Sequence, residues 1–86
     1  MTEPDLADLG AGVLEVALTW APGPVRRTSL DARLAEDLGY DSLGLIELAV
    51  VLEHEFGLKP VTEADVLVAQ TVEDVTVIVA NAEKKA

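Results

Sequence analysis

The sequence predicts an all-α fold: a bundle of three longer helices and one short helix, with a long connection between the first and the second. Three observations carry this. Apolar residues recur at helical spacing in three stretches. Capping and stop signals bracket those stretches. The one β-branched run, Val75-Thr76-Val77-Ile78-Val79, could pass for a strand on propensity, but no partner strand is evident elsewhere.

The first helix is expected to open at Thr2-Glu3-Pro4-Asp5, with a capping threonine, acidic first turn and early proline. Leu6, Leu9, Val13, Val16 and Trp20 form its apolar stripe, and Trp20 reads as core or rim packing. Gly10 and Gly12 weaken it by about 1 kcal/mol each relative to alanine. Ala21-Pro22-Gly23-Pro24 stops it. Residues 25–41 follow as a connection, long for a structureless loop, with Leu30, Leu34 and Leu38 as its natural anchors.

The best-marked helix covers residues 42–56. Leu45, Leu48, Ala49, Leu52 and Phe56 fall on one face. Asp41 and Ser42 are both good capping types, and Gly57 suits the residue after the end. Leu43, Ile46 and Val50 make a second apolar row beside the first, more than one core face needs. Glu47, Glu53, His54 and Glu55 are the solvent candidates. After Lys59-Pro60, Thr62-Glu63-Ala64-Asp65 looks like a capping box opening a short helix. Thr71-Val72-Glu73-Asp74 is a second such box. It opens the last helix, whose stripe is Val75, Ile78, Val79 and Ala82, with Lys84-Lys85 at the far, electronegative end.

The 86 residues read as a single domain, residues 1–86, near the lower size limit for a core without staples. With no cysteine, one histidine and one each of Phe, Trp and Tyr, the core must be Leu, Val, Ile and Ala. Sixteen acidic against six basic residues give a net charge of -10. That charge opposes binding to nucleic acid and to anionic membranes, and favours basic protein partners; it also serves plain solubility. No signal peptide or membrane-spanning run is visible, so a cytoplasmic monomer is expected.

Leu38-Gly39-Tyr40-Asp41-Ser42-Leu43 resembles the attachment motif of acyl carrier proteins, Leu-Gly-x-Asp-Ser-Leu. The resemblance extends through Ile46-Glu47-Leu48, Leu52-Glu53 and Glu55-Phe56, and through the capped start at Thr71-Val72. It covers about residues 28 to 82. It implies an acyl-carrier-like bundle that is not an enzyme. A separate phosphopantetheinyl transferase, using magnesium, would move 4'-phosphopantetheine from coenzyme A onto Ser42, and the terminal thiol would hold acyl groups as thioesters.

The chemistry suits that position. A serine at a helix start is exposed, and the positive helix end favours an anionic phosphodiester there. No histidine or lysine is placed to activate it, so the transferase must supply base and metal. The resemblance implies partner recognition by Asp41, Leu43, Ile46, Glu47, Val50 and Glu53. From the residues alone, Asp41 reads equally as a cap, the apolar trio as core, and the glutamates as a solvated face. Gly39 reads as a tight-turn glycine. His54 departs from the family, where an acidic residue is common. Tyr40-Asp41 replaces the His or second Gly that peptidyl carriers more often show. The expected cargo is therefore acyl, fatty or polyketide, delivered by loading enzymes and synthases, and the form Gly39-Tyr40-Asp41-Ser42-Leu43 most resembles discrete carriers of bacterial polyketide pathways. An aminoacyl carrier is the alternative, and a helical adaptor without prosthetic group the third.

Overall fold

Residues 6–85 are described by a computed structural model of the chain, with side chains from residue 7 onward. The proposed cap at Thr2-Glu3-Pro4-Asp5 lies outside the described residues. Four helices occur among them, α1 (Leu6–Thr19), α2 (Ser42–Phe56), α3 (Glu63–Leu67) and α4 (Val72–Asn81). They include no strand, only two isolated bridge pairs. The β-branched run of α4 is helical. Thr76, the one buried polar residue among those described, donates its hydroxyl to the carbonyl of Val72 at 2.9 Å and so hides no unpaired group.

The core joins all four helices and the connection: Val13 and Ala17 from α1, Leu45, Leu48, Ala49 and Leu52 from α2, Val66 from α3, and Val72, Val75 and Val79 from α4. α2 matches the predicted bounds. The α1 stripe matches in part: Val13 is buried and Leu9 and Val16 pack against the core, but Trp20 does not. Its fully buried row is Gly10, Val13 and Ala17, while Leu9 and Val16 are half-buried and Trp20, one residue past the helix, is 58% exposed. Small residues let α1 approach its neighbours closely. A Cβ on Gly10 would lie 3.1 Å from Leu30 Cδ2. Gly10 therefore trades helix propensity for packing, and the sequence reading that weighted large side chains missed it.

The connection holds no regular helix, yet it is well tied. Leu34 and Leu38 are fully buried and Leu30 half-buried, as expected of anchors. Each full burial contributes about 2 kcal/mol. Its backbone also pairs with the start of α4: Leu34 N donates to Gln70 O at 2.9 Å, Val72 N to Ala32 O at 3.1 Å and Glu73 N to Leu30 O at 2.9 Å.

Two terminal signals fall differently from prediction. Thr62 makes no side-chain cap bond, so the box at α3 does not form. The amide just before it, that of Val61, donates instead to Glu53 Oε2 at 2.8 Å. Lys84-Lys85 do not extend the last helix, which ends at Asn81. Lys84 bridges to Leu58, and Lys85 N donates to Gly57 O at 2.8 Å. The box at α4 forms fully: Asp74 N donates to Thr71 Oγ1 at 3.2 Å, and Asp74 Oδ2 accepts from the amides of Gln70 and Thr71. The Gln70 amide, more than the Thr71 contacts, holds the Asp74 carboxyl below the usual aspartate range.

Candidate functional site

Local backbone geometry places residues 39–44. Gly39 has φ +83°, and a Cβ there would stand 2.8 Å from the amide nitrogen of Gly23. Only glycine satisfies both conditions. The close approach clamps the residues before α2 against the end of the first turn after α1, where Gly23 N donates to Leu38 O at 3.2 Å. Tyr40 then turns inward. It is 4% exposed, and its hydroxyl donates to the carbonyl of Ala17 at 2.7 Å. Burial pushes its phenol up to about 12. This anchor was missed in the sequence, where the composition argued for an aliphatic core. The signal available was one of the chain's three aromatic residues standing inside the motif.

Asp41 is the cap of α2: its Oδ1 accepts the amide of Gly44 at 2.7 Å. Ser42 is thus not the cap but the first helical residue. It is exposed, and neither its hydroxyl nor the amides of Ser42 and Leu43 make a hydrogen bond among the described residues. Ser29, the other serine of the chain, differs: its hydroxyl donates to the carboxylate of Asp31. That bond, with a smaller contribution from Arg27, holds the Asp31 carboxyl below its usual range. Gly44 leaves room for this geometry, since a Cβ would come within 3.1 Å of Asp41 Oδ1 and 3.2 Å of the Tyr40 ring.

Ser42 opens onto a surface cleft of about 480 Å³, lined by Arg33, Glu36, Leu45, Leu67, Ala69 and Gln70 among others. On its other side runs an exposed apolar row. Leu43 is 64% and Val50 58% exposed, Ile46 is half-buried, and Glu47 is exposed beside them. Core packing is therefore excluded for Leu43 and Val50. Glu53 stands apart from this group: it is half-buried, with its carboxylate held by the Val61 amide, a structural tie between α2 and the loop before α3. It is not the free solvent-facing glutamate the spacing suggested. Among the described residues no cluster of His, Cys, Asp and Glu is arranged to hold a metal ion, and no helix is long and apolar enough to cross a membrane.

A family model described as a phosphopantetheine attachment site matches residues 5–76. An acyl carrier protein of Campylobacter hominis is 38% identical over 68 residues, covering 78% of this chain and 80% of that protein. An acyl carrier protein of Thermotoga maritima is 47% identical over 55 residues, 64% of this chain and 63% of its own length. A third, from Rickettsia bellii, is 47% identical over 34 residues, 40% of each chain. The chain belongs to the acyl carrier protein family. It is a non-catalytic carrier, and its prosthetic group is covalently attached 4'-phosphopantetheine.

Proposed function

We propose that Ser42 Oγ is the attachment point, and that the chain, as a single carrier domain and a monomer in the cytoplasm, presents polyketide-type acyl thioesters to successive partner enzymes. The observation that carries the attachment is the free, exposed hydroxyl at the first residue of a capped helix. The residues around it fit the group. The amides of Ser42 and Leu43, unpaired among the described residues, would be available to the phosphodiester, and the adjoining cleft would take the arm. The arm supplies a terminal thiol; the chain's own residues hold and present it. The base and the metal for the transfer come from the transferase.

Two features favour polar, surface-borne cargo over a long saturated chain. The cleft beside Ser42 mixes Arg33, Glu36 and Gln70 with Leu45, Leu67 and Ala69. The apolar interior between α2, α3 and α4 has a void of only about 10 Å³, so a long alkyl chain would have to part Leu48 and Leu52 from Val75 and Val79. Asp41, Leu43, Ile46, Glu47 and Val50 form the docking face for the transferase, loading enzymes and synthases. Glu53 is left out of it because its carboxylate is already engaged.

Incubation of the purified apo chain with coenzyme A, magnesium and a broad-specificity transferase tests the reading. Intact mass should rise by one phosphopantetheine in the native chain and stay unchanged in Ser42→Ala. A gain by Ser42→Ala would reject the assignment. Loading of the holo chain from malonyl-coenzyme A, but not by an amino-acid-adenylating enzyme, is expected for acyl cargo.

A further inference from the structure

At the far end of α2 from Ser42 lies a second groove, of about 300 Å³, which the carrier function does not use. It is lined by Gly12, Glu15, Val16, Thr19 and Trp20 of α1 and its exit, and by Glu55 and Phe56 of α2. Phe56 stands fourteen positions after Ser42 in the helix, which puts the groove roughly 20 Å away along the helix axis. Its floor depends on Gly12, because a Cβ there would meet the Phe56 ring at 3.2 Å. Trp20, the chain's single tryptophan, leaves 58% of its surface open on the rim. Glu15 and Glu55 are exposed and form no ion pair among the described residues.

We infer that this groove is a docking site for a basic, partly apolar segment of a partner protein, with an arginine or lysine set against the Trp20 face between the two carboxylates. An indole face and unpaired carboxylates both attract a cation, and the apolar floor takes its neighbour. Charge complementarity selects this occupant. A second copy of the chain brings a net charge of -10 against the same sign. The undescribed residues 1–5, with Glu3 and Asp5, are acidic as well. The inference does not rest on Ser42 bearing the arm, and Ser42→Ala is expected to leave it intact.

The test is calorimetric titration of the full chain, at physiological ionic strength, with a short capped peptide alternating arginine and leucine, followed in parallel by Trp20 emission. The expected result is saturable one-to-one binding with a shift in emission. Glu15→Gln/Glu55→Gln should weaken it about fivefold or more, whereas Glu63→Gln/Glu73→Gln, the same loss of charge elsewhere, should change it less than about twofold. Trp20→Leu, which keeps apolar bulk at an exposed position, should weaken it about threefold. Equal weakening by the two glutamine pairs would reduce the effect to net charge and overturn the inference, as would an unmoved emission. A dimer of the chain alone that dissolves in Glu15→Gln/Glu55→Gln would also overturn it, by assigning the groove to a second copy.

Discussion

Tyr40 and Gly39 tie the start of α2 to the end of α1 and the turn after it, one by a buried hydrogen bond and one by a conformation closed to other residues. Tyr40→Phe removes the donor to Ala17 O and should cost about 1 kcal/mol in chemical denaturation. The pH dependence has a definite sign. The folded phenol keeps its proton to about 12, whereas the unfolded one loses it near 10. Stability from this group is therefore full below pH 10 and lost as pH rises through 12. The native chain should lose stability across that window, and Tyr40→Phe should lose less. Gly39→Ala imposes a side chain at φ +83° and a 2.8 Å contact with the Gly23 backbone. A loss of about 2 kcal/mol or more is expected, read as a lower melting temperature. A near-neutral Gly39→Ala would contradict this clamp. The motif made Gly39 legible as a turn residue. The partner it meets, Gly23, lies sixteen positions earlier in a stretch legible only as the stop of α1, so only the folded chain reveals the contact.

At the scale of elements, α2 was almost wholly legible, because cap, periodicity and terminal glycine agree on the same boundaries. What its spacing left open was the role of each outward residue. Leu43 and Val50 share a helical repeat with core positions but sit mostly in solvent, whereas Glu53, polar by type, is tied to Val61 N. These assignments separate by measurement. Leu43→Ala/Val50→Ala should leave stability within about 0.5 kcal/mol while slowing modification by the transferase. Glu53→Ala should do the reverse: a loss of about 1 kcal/mol and faster amide exchange at Val61, with little change in modification. Helix ends were less legible where tertiary pairing competed. The sequence box at Thr62 fails beside the Glu53–Val61 bond, and the lysines taken for a helix end pair across to residues 57 and 58.

For the whole molecule, charge is distributed unevenly. Two of the three cations of the connection are engaged in local pairs, Arg27 with Asp31 and Asp37 and Arg33 with Glu36, while Lys59 pairs with Glu83. Glu47 on α2, and Glu15 and Glu55 at the second groove, stay unpaired among the described residues, so both the docking face and the second groove present negative charge. The all-α architecture was readable from periodicity and caps, and the attachment motif from its place at a helix start. The tertiary ties that hold the motif were not, because the groups they reach, the Ala17 carbonyl and the Gly23 backbone, are main-chain atoms that carry no sequence pattern. Of the two serine hydroxyls, only that of Ser42 is both free among the described residues and set at the first residue of a capped helix. Modified protein should be cleaved and the phosphopantetheine located by tandem mass spectrometry. The whole of the added mass is expected on Ser42 and none on Ser29, whose hydroxyl is committed to Asp31. Phosphopantetheine on Ser29, or on any residue other than Ser42, would contradict it.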